Sequence, residues 1–80
     1  MEYPLIEEQV KKIIADKLSI DVAKVDMHSS LQDDLMVDSF ASIEIAFDLE
    51  EKFNIKIPDD VIVQVKVVKD IVDYISTRAA

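Results

Sequence analysis

The residues best placed to do chemistry are Asp38 and Ser39, at the end of Asp33-Asp34-Leu35-Met36-Val37 and immediately before a helix-forming stretch. A serine hydroxyl becomes a nucleophile only when a base takes its proton, and the one histidine, His28, lies in a segment without regular periodicity. The chain has no glycine for the sharp strand-to-helix elbow that exposes a hydrolase serine. Hydrolase chemistry is therefore disfavoured. A calcium loop fails as well, because a frame beginning at Asp26 sets Leu31 where glycine is needed and Val37 where the closing acid should stand. His28 reads as a solvated or loop-packing residue.

Two readings of Ser39 remain. Ser39 or Asp38 could simply cap the helix that follows, although neither has Glu or Gln three residues later to complete a capping box. Alternatively, Ser39 is an attachment point. Unpaired backbone N–H groups and the helix dipole favour negative charge at a helix N-terminus, so a phosphate on that hydroxyl would be well placed.

Eighty residues suit one domain spanning 1–80, and a chain of this length buries only about 60% of its unfolded surface, so its core is small. There is no cysteine, hence no disulfide framework and no thiolate metal site, and nothing points to an oxidising compartment. No apolar run approaches the roughly 18 residues of a membrane span. The opening MEYPLIEEQVKK lacks the basic-then-apolar order of a signal peptide, so a cytoplasmic protein without stable membrane insertion is expected.

Seventeen Asp and Glu against nine Lys and Arg give a formal net charge of -8, which argues against a nucleic-acid partner. The excess is local. Residues 33–60 hold nine acids (Asp33, Asp34, Asp38, Glu44, Asp48, Glu50, Glu51, Asp59, Asp60) and two lysines (Lys52, Lys56), a balance of -7. Such a field steers basic proteins toward that segment at low salt.

The elements that position Ser39 follow from apolar spacing. Ile6, Val10, Ile13, Ile14 and Leu18 mark one face of a first helix from about Leu5 to Leu18, with Pro4 in its entry turn. A long segment, 19–38, follows with single apolar anchors at Ile20, Val25, Leu31 and Leu35; Ser29 and Gln32 have the spacing to cap a short helical turn within it. The second helix is predicted from Ser39 to Phe53, closed by Asn54, which tolerates the left-handed conformation. After Pro58, Asp59-Asp60 favours a new helix start. Val61-Ile-Val-Gln-Val-Lys-Val-Val68 alternates like a strand, but a lone strand has no partner, so a short helix, a bend and a last helix near Val67 to Thr77 are expected.

The second helix carries two apolar faces. At about 100° per residue, Ser42, Ile45, Ala46, Leu49 and Phe53 share one arc, the expected core face. Phe40, Ile43 and Phe47 lie opposite, interleaved with Glu44 and Glu51 and flanked by Asp48 and Glu50. A domain this small cannot cover both sides, so the second face is expected to stay partly exposed, as an apolar and acidic ridge for a basic partner. The competing expectation is that Phe40 and Phe47 fold under the long loop as a satellite core.

With these residues in place the chain resembles the acyl carrier proteins, whose pattern is an aspartate and leucine, two small or apolar residues, Asp-Ser-Leu, an acidic helix closing with Leu-Glu-Glu-x-Phe, and then Ile-Pro-Asp. Here it stands as Asp34-Leu35-Met36-Val37-Asp38-Ser39-Phe40, then Glu44, Leu49-Glu50-Glu51-Lys52-Phe53 and Ile57-Pro58-Asp59, with weaker likeness through Val68-Lys69-Asp70-Ile71 and Tyr74-Ile75. The resemblance implies an all-α fold, a small four-helix bundle with a long loop between helices 1 and 2 and a short helix 3. It implies that Ser39 bears 4'-phosphopantetheine donated by coenzyme A, whose thiol holds acyl groups as thioesters for fatty-acid, polyketide or other lipid biosynthesis. The reactive sulfur would arrive with the arm, which suits a chain without cysteine and makes it a non-catalytic substrate of other enzymes.

By the same resemblance the partners are a phosphopantetheinyl transferase and acyl-loading or acyl-processing synthases and transferases with basic docking surfaces, meeting a monomer. Their contacts would fall on Asp38, Phe40, Ile43, Glu44, Phe47, Glu50, Glu51, Ile57 and Asp59, and the acyl chain would lodge near Ala46, Leu49, Ile62, Val65 and Ile71. Met36 stands where the family usually has glycine, Phe40 where it has leucine, and Asn54 where glycine is common; these departures hint at a specialised carrier. A D-alanyl or other aminoacyl or peptidyl carrier on the same fold is one alternative, and an acidic helical adaptor that is never modified is another.

Overall fold

The computed structural model describes residues 2–78 of the chain. Among the described residues four helices follow one another: α1, Tyr3–Leu18; α2, Ser39–Phe53; α3, Asp59–Gln64; and α4, Val68–Arg78, with a single 3-10 turn, Val22–Lys24, in the long connection between α1 and α2. The expected all-α, four-helix architecture with a short third helix is what the chain forms. Helix α2 has the limits its flanking residues predict, while α1 begins at Tyr3 rather than Leu5, because proline is tolerated in the first turn.

Both long helices end without glycine. Ser19 closes α1 with φ 57°, and Asn54 closes α2 with φ 54°, each turning its N–H back onto the carbonyls of the final turn. The core is a seam of α1, α2 and α4. Ile6, Val10 and Ile14 of α1 meet Ile45, Leu49 and Phe53 of α2 and Val68, Val72 and Ile75 of α4, all buried, and Val25, Leu31 and Val37 close it from the long connection. Each fully buried aliphatic side chain of this kind contributes about 1.5–3 kcal/mol.

The alternating valines split as the absence of a partner strand requires. Val61 to Gln64 belong to α3, Val65 is extended, and Val67 makes one isolated antiparallel bridge with Ser30. Helix α4 then starts at Val68, where the Asp70 carboxylate accepts from the backbone N–H groups of Lys66 (3.1 Å) and Val67 (3.2 Å). Helix α3 buries none of its residues.

Within the long connection the turn is capped one residue later than the Ser29 and Gln32 spacing suggests. Ser30 accepts from Asp33 N–H through its hydroxyl (3.1 Å), and the Asp34 carboxylate accepts from Ser30 N–H (2.7 Å). Ser29 instead accepts from Asp26 N–H at 3.1 Å. An ionised carboxylate is a stronger acceptor than the Gln32 amide, and Asp34 can reach the N–H that needs a partner.

Candidate functional site

The serine stands where the loop ends and α2 begins, and three local features fix it there. Val37, buried just before Asp38, anchors the chain, and its N–H donates to the Leu31 carbonyl at 2.7 Å. Met36 turns the backbone at φ 58°, a conformation that costs a side chain with a Cβ about 1–2 kcal/mol. Asp38 then caps α2, its carboxylate accepting from Ala41 N–H at 2.7 Å, while the Ser42 hydroxyl donates to the Asp38 carbonyl at 2.9 Å.

Of the two residues able to cap, the fold uses Asp38. Ser39 becomes the first residue of α2, exposed, with its hydroxyl outside the cap and beside the positive end of the helix. A phosphodiester on that oxygen would project into solvent without displacing any capping interaction, so the residues present fit a phosphopantetheine group.

The outer face of α2 is bare. Phe40 is 71% exposed, Phe47 62% and Ile43 45%, so these aromatics do not form a satellite core beneath the loop. Met36, three residues before Ser39 in the chain, is also exposed, at 79%. Asp38, Glu51 and Asp59 are exposed around it, and Glu44 is half-buried.

Two of the residues assigned to that face also make contacts within the chain. The Glu50 carboxylate reaches past the end of α2 to accept from Ile57 N–H at 2.7 Å, and Ile57 packs against the core. On the α1 side, Lys17 pairs with Asp48 at 3.1 Å, and this hydrogen bond, opposed by desolvation and assisted by the charges of Asp48 and Glu44, raises the lysine pKa above its usual range. Lys17 thus offsets acid on one flank only.

Beneath Ser39 the inner face of α2, with Ile43 and Phe47 of the outer face at its edge, opens onto a cavity of about 590 Å³. Ala46, Leu49, Ile62, Val65 and Ile71, the five residues assigned to an acyl chain, all line it, and Ser39 and Ser42 lie along the same lining. Ser42, on the expected core face, is therefore only half-buried. Residues the spacing did not single out also contribute, above all Val37 and Tyr74. Tyr74 had a legible signal, since it lies three positions beyond Ile71 on the same helix. Val37 had none, because nothing periodic surrounds it.

This arrangement can present a covalent group outward from the helix tip, shelter an apolar one behind α2, and offer a greasy, acid-rimmed face to a protein. The chain also matches known proteins along nearly its whole length. The family described as "Phosphopantetheine attachment site" matches residues 8–75. An acyl carrier protein of Thermosynechococcus vestitus is 43% identical over 75 residues, which are 94% of this chain and 93% of the relative. An acyl carrier protein of Clostridium acetobutylicum is 45% identical over 74 residues, 92% of this chain and 96% of the relative. With its helical architecture, its exposed serine at a helix tip and these relatives, the chain belongs to the acyl carrier protein family, whose members contain a phosphopantetheine attachment site.

Proposed function

We propose that the protein carries acyl intermediates as thioesters on 4'-phosphopantetheine attached through Ser39, and delivers them to enzymes of fatty-acid, polyketide or other lipid biosynthesis in the cytoplasm. The observation that carries this reading is the division of labour at the helix tip, where Asp38 takes the cap and leaves the Ser39 hydroxyl exposed. On modification, the Ser39 oxygen attacks the pyrophosphate of coenzyme A, its proton passes to a base of the transferase, and the adenosine bisphosphate half leaves. Bound there, the arm supplies a thiol that holds the acyl group.

The remaining roles belong to the chain's own residues. Phe40, Ile43 and Phe47 form the apolar centre of the docking face, and Asp38, Glu44, Glu51 and Asp59 its acidic rim. Glu50 and Ile57, joined by a hydrogen bond and partly buried, hold the end of α2 in place at the edge of this face. Ala46, Leu49, Ile62, Val65 and Ile71 receive the acyl chain, and an apolar lining of this kind suits hydrocarbon better than an amino acid. The protein is a substrate of its transferase and synthases rather than a catalyst.

Intact mass tests the reading. Incubation with coenzyme A and a promiscuous phosphopantetheinyl transferase adds one arm to the wild type and none to Ser39→Ala. The loading rate falls as salt is raised, because the acidic segment steers the basic enzyme. A folded wild-type protein whose mass does not change would instead be an unmodified adaptor.

A further inference from the structure

The directions of the helices set the two ends of the cavity. Leu31 N–H donates to the Lys66 carbonyl (3.0 Å) and Val68 N–H to the Ser29 carbonyl (3.2 Å), while Val37 N–H returns to Leu31, so α2 and α4 start at the same end of the molecule. At the opposite end, just past α2, the Tyr74 hydroxyl donates to the Lys56 carbonyl at 3.2 Å. Helices α2 and α4 therefore point in the same direction, and residues of α3 complete the lining between them. From Ser39 to Glu50, both on the lining, α2 advances about 16 Å. The cavity is a channel that begins at the serine and ends at Tyr74.

We infer that Tyr74 is the end wall of this channel and fixes the longest acyl chain the protein shelters. Tyr74 belongs to the lining, one turn beyond Ile71, and its contact with Lys56 puts it at the end away from Ser39. Two contacts hold the side chain: its hydroxyl donates to the Lys56 carbonyl, and the Arg78 guanidinium sits 5.0 Å from the ring centroid. A leucine or valine at this position would have neither tether. Ile57, next to Lys56, borders the same end, while Ile62 and Val65 line the cavity from α3 and the link that follows it. Tyr74 is thus a specificity-determining residue for cargo length, a claim that rests on the carrier reading above.

The test loads the wild type, Tyr74→Leu and Tyr74→Trp with saturated straight-chain acyl groups of increasing length, after mass confirms one arm on Ser39. Thermal unfolding is followed for each. A sheltered chain stabilises the folded state until the channel is full, so Tm rises with length to a plateau. Tyr74→Leu moves the plateau to longer chains and Tyr74→Trp to shorter ones. In the wild type, ring resonances of Tyr74 shift only near the plateau length, whereas the Ala46 methyl responds to shorter chains; this measurement decides the matter even where a variant does not fold.

Arm attachment with an identical plateau in all three proteins, or Tyr74 resonances that never respond while Ala46 does, overturns the end-wall role and leaves the carrier reading standing. Failure of the wild type to gain an arm removes both.

Discussion

The seam between α1 and α4 and the channel between α2, α3 and α4 are built to opposite ends. In the seam, Ile6, Val10, Ile14, Val68, Val72 and Ile75 are completely buried. The channel shares its α2 wall, Ala46 and Leu49, with the core, but on its other side α3 buries nothing, and Ile62, Val65 and Ile71 are only partly covered. The same kind of aliphatic side chain serves stability in one place and an apolar recess in the other. Density makes the difference: a filled interior loses a contact for every atom removed, whereas a recess has open space on one side already.

The sharpest way to break this contrast is a matched pair of truncations. Ile14→Ala, in the seam, is expected to cost about 2–5 kcal/mol, enough to unfold a substantial fraction of so small a domain. Ile62→Ala, in the channel, is expected to cost about 1 kcal/mol or less, since its side chain is half-exposed and no new void is closed off. Urea denaturation measures both, and equal losses would mean that the channel is part of the core.

A second pair separates support from chemistry at the tip of α2. Asp38→Ala should lower stability by about 1 kcal/mol through loss of the cap, while Ser39→Ala should stay within about 0.5 kcal/mol. The ranking reverses in the arm-attachment assay, where only Ser39 is indispensable. A Ser39→Ala loss as large as that of Asp38→Ala would show the hydroxyl to be structural.

Met36→Gly sharpens the comparison between the two left-handed residues that flank α2. Relief of the backbone strain at Met36 outweighs the added freedom of the unfolded chain, for a net gain of about 0.5–1 kcal/mol in chemical denaturation. Asn54→Gly should gain less, because asparagine already tolerates that conformation.

The smallest effect belongs to a surface clamp over the seam. Asp73 accepts from Lys69 at 2.7 Å and from the Tyr3 hydroxyl, joining α4 to the start of α1. These two hydrogen bonds, the Lys69 one first, hold the Asp73 carboxyl below its ordinary value of 3.8. Its contribution is therefore complete above that value and fades as pH falls through the lower folded one. Hydrogen bonding to Asp73 raises the Lys69 and Tyr3 pKa values, so their share is present below their ordinary range and is lost as pH rises through the raised values. The stability gap between wild type and Asp73→Asn, measured by urea titration, should narrow at both pH extremes and stay small throughout because the groups are exposed.

Much of the fold was legible because its signals are local. The limits of α2 follow from Asp38-Ser39 at one end and Asn54 at the other, and its two apolar faces follow from the helical repeat alone. Even Val61 to Val68, a strand by its own pattern, resolves into a helix, an extended link and a helix once no partner strand is available. The exposure of Phe40 and Phe47 was likewise expected from the limited covering a chain of 80 residues can offer.

What the amino-acid order determined by itself is thus the serine at a helix tip, the acid concentrated around it and the apolar residues on both sides of α2, since spacing and charge are properties of neighbours along the chain. Contacts between distant residues decided the rest. That Tyr74 meets Lys56 at the end of a channel, that Leu31 and Val68 tie the long connection to the start of α4, and that Lys17 pairs with Asp48 depend on which groups the packed helices bring within hydrogen-bonding distance. Those distances are set by the tertiary fold, and no local pattern encodes them.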